Sequence, residues 1–518
     1  MKRLVIGAAA GIAAVTVLSR VVGFGRTAVL SRTLGPSCVG DTYAAANAIP
    51  NIVFEVVAGG ALAALVVPLL AGLVSDGDRD GVSRTASALL TWTLLVLTPL
   101  ALLGMLIAPT LLRALVGSSP SCGNDLLRVG ASMLVVFLPQ LVLYGVGIVV
   151  AGILQAHRRF LGPALAPLLS SLVVMGAYFA YAAQGRGALA ELPRSQELTL
   201  SLGTTAGVAV LSLSLLVPLR RCGLRLRPTL RFLPGVAAQA RRLALSGLAA
   251  LSAQQVALVV ALRLAAHGDR GSIVLFQLAT ALFLLPWAVL AVPVATSAFP
   301  GLAAHAARGD DAAYAAATAR ALTAVVVASA GSAVVLAAVA GPVARLLVAG
   351  APGGVPAGDL ARATAAFAPG LLGYALLAVL GRALAARHDS RAAAVATVAG
   401  WLVVAAADVL LIATLPDLDR AVALGIGNSI GMTVLGVLLV RAVRRNSSAA
   451  LSGLSRALLA GFLGCAAAGV AAWLLPSPGT TLPASAVACL VVAVVSGGVY
   501  LAVVRLVHPA SLQALRHA

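Results

Sequence analysis

Charge is what this chain has least of. Aspartate, glutamate, lysine and arginine together make up 10% of its 518 residues. An ordinary soluble domain is about 25% charged. Aromatic residues are scarce as well, at 4%. A soluble protein of this length must cover its cores with polar surface, and too little is present. A soluble enzyme, a disordered chain and a nucleic-acid-binding domain are therefore excluded. Lysine is nearly missing, because Lys2 stands alone. Metal-ligand spacing is missing among the five cysteines, at 38, 122, 222, 465 and 489. A metalloprotease motif, a Gly-rich nucleotide loop and an aspartate-rich transferase motif are also absent. The expectation is a non-enzyme with no cofactor and no bound metal. Its energy then comes from a coupling cation, the membrane potential or the substrate's own gradient, unless a partner hydrolyses ATP.

What is abundant is apolar sequence. The hydrophobic share is 61% and the mean hydropathy is +1.03. A membrane span takes about 20 residues, so a dozen or more spans are affordable. The fold class expected is an all-α polytopic membrane protein. Fourteen apolar segments can be read, at 10–33, 41–74, 86–110, 128–153, 161–184, 198–218, 244–266, 271–303, 315–340, 363–384, 392–414, 421–440, 457–475 and 483–506. The second and eighth are long for one span. Prolines 50, 68, 286, 293 and 300 offer places for a kink.

The net charge of +20 looks like a partner signal. The basic residues, however, sit in short breaks between apolar runs. With a cytoplasmic N-terminus, 22 of them fall inside and 8 outside, and 6 lie in or at the edges of spans. That bias places both termini in the cytoplasm. The stretch 1–30 begins with Lys2-Arg3 and an apolar run but continues through Arg20 and Arg26, so it reads as an uncleaved first helix. In this topology Cys38 and Cys122 both fall in outer loops. A disulfide between them and two free thiols are equally open.

Two halves align at a near-constant offset. Leu18-Ser19 matches Leu251-Ser252 and Gly35 matches Gly268, each 233 residues apart; Pro68 matches Pro300 and Arg159 matches Arg391, each 232 apart. Six spans per half give a parallel repeat, the architecture that switches access by rocking. The expected organisation is an N-lobe at 1–218, a basic cytoplasmic linker at 219–243, a C-lobe at 244–440, and two added helices with a tail at 441–518.

Charges within spans are the functional candidates, because each is costly in lipid. The first span carries Arg20, Arg26 and Arg32. On an ideal helix these do not share a face, but Gly23 and Gly25 provide a place to bend. Guanidinium grips phosphate with two parallel hydrogen bonds, so buried arginines suit an anionic ligand. Arg32 reads as a snorkelling residue. Arg20 and Arg26 either serve a ligand or pair with Glu55 or Asp41. Asp41 either caps the second helix or faces a cavity. Glu55, after Pro50-Asn51, either partners a cavity arginine or binds a proton. Asp408, with Asn428 and Ser429 in the next helix, forms either a cation or proton site or a structural hydrogen bond.

The run Leu18-Ser-Arg-Val-Val-Gly-Phe-Gly-Arg26, then Leu34-Gly35, Asp41, Ile49-Pro-Asn51, Gly59-Gly60-Ala61 and Val67-Pro68, resembles the start of MurJ (MviN) lipid II flippases. The stretches Ile153–Phe160, Phe283–Pro286, Ala295–Pro300 and Ala386–Arg391 are similar too. The resemblance covers about 10–440. It implies the multidrug/oligosaccharidyl-lipid/polysaccharide exporter superfamily, with two six-helix lobes and two further helices sheltering a lipid tail. The implied activity is movement of the undecaprenyl-diphosphate-linked peptidoglycan precursor to the outer leaflet of the bacterial cytoplasmic membrane. Arg20 and Arg26 then hold the diphosphate, with Ser19, Asp41, Asn51 and Glu55 as cavity or gating residues. The implied partners are this precursor, membrane lipids and cell-wall synthesis proteins, and no nucleic acid. The pattern departs from the family in three places. Phe54 and Glu55 stand where many members have a basic pair, Thr280–Leu285 lacks an arginine, and Gly59 replaces an acid. An exporter of another polyprenyl-linked saccharide or small molecule, or a non-transporting cell-wall scaffold, is the alternative.

Overall fold

The computed structural model describes residues 2–56, 63–185, 187–231, 236–475 and 481–510. The Gly59-Gly60-Ala61 motif lies outside the described residues, and so do the side chains of Lys2, Arg3, Arg241 and Arg242. Among the described residues the chain is helical, with no strand. By contacts it divides into two units. The first holds Met1–Gln255 with the turns Asp269–Gly271 and Ala351–Gly353; the second holds the remainder.

In the first unit the order is α1 (Lys2–Thr33), α2 (Cys38–Phe54), α3 (Ala63–Ser75), α4 (Arg79–Leu106), α5 (Ala108–Val116), α6 (Gly123–Phe137), α7 (Gln140–Ala156), α8 (Leu161–Ala183), α9 (Arg194–Leu213) and α10 (Leu216–Arg220). Helix α11 (Val236–Ala266) runs through the division and begins inside the segment read as linker. The alanine-rich start of α11 favours helix, which shortens that linker. The second unit continues with α12 (Ser272–Pro286), α13 (Val292–Ala307), α14 (Asp311–Val348), α15 (Ala357–Phe367), α16 (Gly370–Ala386), α17 (Ser390–Thr414), α18 (Arg420–Asn446), α19 (Leu454–Trp473) and α20 (Leu482–Val507).

Among the described residues eleven helical stretches are long and apolar enough to cross a membrane, twelve if α15 and α16, bent by 42°, count as one. The expected fourteen are compatible with this. The remaining two segments are the one with α1 and the one with α2 and α3.

The two halves repeat each other in detail. Gly77 and Gly309 take positive φ, and the aspartates after them, Asp78 and Asp310, cap α4 and α14 by accepting the N–H of Gly81 and Ala313. Leu138-Pro139 separates α6 from α7, and Ala368-Pro369 separates α15 from α16. Arg158 and His388, the only described non-glycine residues at positive φ, follow α7 and α16. Each half also widens into a π turn within its long segment, at Glu55–Val56 and at Trp287–Ala291. In each half this widening comes soon after a proline, Pro50 or Pro286, which has no N–H to give to the helix.

One aromatic sits where the last two helices pack on α14. Tyr500 of α20 donates its hydroxyl to the Val327 carbonyl at 2.7 Å. A Cβ at Gly331 or Gly464 would sit 2.6 or 2.8 Å from its ring. Small residues let the backbones close around it.

Candidate functional site

In the first unit, polar groups gather where α1, α2, α7, α8 and α9 supply them. The Tyr43 hydroxyl lies 2.9 Å from the Tyr178 hydroxyl and 2.8 Å from Thr204 Oγ1. The Tyr144 hydroxyl donates to Asn51 Oδ1 at 3.1 Å, and its ring lies 4.3 Å from that of Phe54. Asn51 Nδ2 donates back to the Asn47 carbonyl. Arg26 stands within Coulombic reach of all three tyrosines, and Glu55 within reach of Tyr144. Three of the seven tyrosines of the chain thus feel the charge of one arginine. The sequence reading passed over these tyrosines. Their rarity in so apolar a chain was the available signal.

The arginines of α1 do not converge. Helix α1 is continuous through Gly23 and Gly25, so the bend they permit is not used. Arg26 is half-buried beside the tyrosines, while Arg20 and the half-buried Ser19 precede it, Arg20 being exposed. Neither arginine forms an ion pair among the described residues, and Glu55 is exposed and likewise unpaired. The expected pairing of Glu55 with a cavity arginine is therefore not seen. Arg32 is half-buried and engaged with a neighbour.

Asp41 is not the cap of α2, because Ser37 Oγ accepts the Gly40 N–H in that role. Asp41 is buried, 4% exposed, and its Oδ2 takes the Gly271 N–H at 2.8 Å. It therefore satisfies a backbone N–H of the Asp269–Gly271 turn, which belongs to the same unit. Close packing surrounds this contact. A Cβ at Gly271 would fall 2.5 Å from the Pro36 carbonyl oxygen, and one at Gly353 only 1.8 Å from it. A disulfide joins Cys38 to Cys122, tying the start of α2 to the start of α6.

The second unit holds a different site. Asp408 on α17 is fully buried, and neither carboxylate oxygen has a hydrogen-bond partner. Gly427 of α18 makes room for it, because a Cβ there would lie 1.9 Å from Oδ1. Asn428 Nδ2, on the next residue of α18 and 3.1 Å from where a Cβ at Gly370 would sit, is buried and unpartnered too. Ser429 is occupied elsewhere. Its Oγ donates to the Ala366 carbonyl and accepts the Gly370 N–H, serving the backbone groups that Pro369 leaves open. It is removed from the candidate ligands for that reason. Among the described residues no three His, Cys, Asp or Glu side chains come together. An open cleft of about 320 Å³ is lined by Val334, Ala337 and Ala338 of α14 with Gly469, Ala472 and Trp473 of α19.

The family profile described as "Lipid II flippase MurJ" matches residues 30–504. The chain belongs to that family. A probable lipid II flippase MurJ of Rhizobium tropici is 27% identical over 291 residues, 56% of this chain and 53% of that protein. One from Synechocystis is 31% identical over 237 residues, 44% and 43%. The chain thus spans about half the length of the first of these relatives and less of the second. Among solved structures, "Lipid II flippase MurJ, inward closed conformation" superposes with TM-score 0.77 at 17% identity, over 97% of this chain and 99% of that one. An inward-facing multidrug resistance MATE transporter of the MOP superfamily gives 0.66 at 15%, over 82% and 95%. At these identities the superpositions establish a shared fold. The protein is accordingly a multi-pass helical membrane protein of the MurJ family.

Proposed function

We propose that the protein carries lipid II, the undecaprenyl-diphosphate-linked peptidoglycan precursor, from the cytoplasmic to the outer leaflet of a bacterial cytoplasmic membrane. Both termini lie in the cytoplasm, and access alternates between the two sides. The observation that carries this reading is Arg26: a half-buried arginine of α1 whose charge is felt at Tyr43, Tyr144 and Tyr178, with no carboxylate paired to it among the described residues. Such a group is costly in a bilayer unless an anion comes to it. A diphosphate supplies that anion, with two oxygens for the guanidinium fork and others for hydroxyl donors. Arg20, one and two-thirds turns earlier, meets the headgroup on its way in, and Ser19, Asn51 and Glu55 border its path. Asp41 holds the turn at Gly271. The cleft at α14 and α19 suits an apolar tail.

Asp408 and Asn428 are the proposed coupling site. A buried carboxylate without a partner is expensive if ionised, and a proton or a cation relieves that cost. Cell-wall synthesis proteins are the expected protein partners.

Complementation of a flippase-depleted bacterium tests the reading. The wild-type chain should restore growth. Arg26→Ala should lower rescue at least about tenfold, the equivalent of 1.4 kcal/mol in binding, and Arg26→Lys should fall between the two. Good membrane expression without rescue by the wild type would end the lipid II assignment. Full rescue by both Arg20→Ala and Arg26→Ala would end the roles given to the arginines.

A further inference from the structure

The segment after α10 is neither helix nor free loop. Residues 224–231, Leu-Arg-Leu-Arg-Pro-Thr-Leu-Arg, run extended along the first half of α4. The Arg225 N–H donates to Ser83 Oγ at 3.4 Å, the Arg227 N–H to Ser87 Oγ at 3.0 Å and the Thr229 N–H to Thr91 Oγ1 at 3.1 Å. Trp92 Nε1 completes the series by donating to the Leu230 carbonyl at 3.2 Å. Every second residue of the strap thus meets every fourth residue of the helix. The register is physical. Two extended residues rise about 6.6 Å and four helical ones about 6.0 Å, so the donors and acceptors stay in step over two turns.

This fastening fixes what the strap displays. Leu224 packs on the buried cluster of α3, α4, α7 and α10. Leu226 and Leu230 remain exposed, and so do Arg225, Arg227 and Arg231. Arg220 and Arg221 precede them, and Arg159 of the α7–α8 turn donates to the Arg221 carbonyl. Among the described residues none of these six arginines forms an ion pair. The acids at the start of α4 do not answer them: Asp78 is spent on the Gly81 N–H, and Asp76 and Asp80 pair with no arginine. Arginines interleaved with exposed leucines, next to a tryptophan, make up a surface suited to the level of lipid headgroups.

The positive-inside rule accounts for the side on which these arginines lie. It does not require their backbone to be bonded to a membrane helix at every turn. We infer that the strap 224–231, with Arg159, Arg220 and Arg221, is a docking site for anionic phospholipid headgroups of the cytoplasmic leaflet. The occupant is chosen by charge: a phosphodiester gives each unpaired guanidinium its counter-ion, and the acyl chains below cover Leu226 and Leu230. This goes beyond lipid II transport and does not depend on it.

Native mass spectrometry of the full-length protein tests the inference, with phosphatidylglycerol titrated against phosphatidylcholine in mixed micelles. The wild type should retain the anionic lipid at least fivefold over the neutral one. Arg225→Gln/Arg227→Gln/Arg231→Gln should bring the ratio close to one. Ser83→Ala/Ser87→Ala/Thr91→Val keeps every arginine, and so the topology signal, yet should lower the ratio at least twofold by releasing the strap. Thermal melting of each variant identifies those that remain folded. A folded triple-glutamine variant with an unchanged ratio would overturn the proposal. An unchanged ratio in the serine–threonine variant would overturn the role of the fastening. Binding of an acidic peptide with no preference between the two lipids would overturn the choice of occupant.

Discussion

Both halves of the chain break their long helix with the same device, and they fill the break differently. In the first unit the helix widens at Glu55–Val56 after Pro50, and Tyr144 packs on Phe54. In the second it widens at Trp287–Ala291 after Pro286, and Tyr374 packs on Trp287 with ring centres 4.8 Å apart. Tyr144 and Tyr374 hold corresponding places in α7 and α16. Around Tyr144 stand Asn51, Arg26 and Glu55. Around Tyr374 stand Phe283, Trp287 and Trp401, all aromatic. The repeat therefore supplies a scaffold, and the side chains divide the work. The first unit's π turn has polar neighbours in Asn51, Glu55 and the Tyr144 hydroxyl; the second's is packed with aromatic rings. The missing arginine in Thr280–Leu285 now has a physical setting, because Leu282 and Phe283 are buried there in the core.

The comparison breaks most visibly at Trp287. Trp287→Ala removes a large ring from the aromatic cluster and should cost up to about 3 kcal/mol. The expected result is a clear drop in melting temperature of the purified protein. An unchanged melting point would mean that the second break is not held by its aromatics. A smaller effect on stability is expected at the other polar feature of the second unit. Asp408→Asn keeps the shape and removes the charge, so folding should be unchanged or slightly improved. Transport in proteoliposomes should lose its response to an imposed proton or cation gradient. A response of wild-type size would remove Asp408 from coupling.

The architecture was largely legible in advance. Apolar runs located the spans, because lipid leaves helices few alternatives; the 42° bend among the described residues falls at Ala368-Pro369, a proline that was not singled out. The repeat was visible at Arg159 and Arg391, but its best markers are backbone features. The capping aspartates 78 and 310 and the positive φ of Arg158 and His388 have no strong sequence signature. The site was legible only in part. Rarity singled out Arg26 and Asp408, since a charge in a span stands out. Tyr43, Tyr178 and Thr204 did not, because each is ordinary on its own helix and matters only where three helices meet. Asp41 and Ser429 were read too locally. Each serves a backbone group far away in sequence, at Gly271 and at Gly370, a pairing that spacing along one helix does not reveal.

The smallest expected effect separates the two tyrosines themselves. Tyr144→Phe keeps the ring against Phe54 and deletes only the hydroxyl that donates to Asn51 Oδ1. A single neutral hydrogen bond contributes about 1 kcal/mol net, so the melting temperature should fall by a few degrees at most. Transport should fall further than stability, by a few-fold, if that hydroxyl and Asn51 present donors to an anion beside Arg26. Tyr374→Phe is the matched control. Its ring lies among aromatics, so the same deletion should leave transport unchanged. Equal transport losses in the two variants would show that the division of labour between the breaks is wrong. A loss confined to Tyr144 would place the anion's path at the polar break.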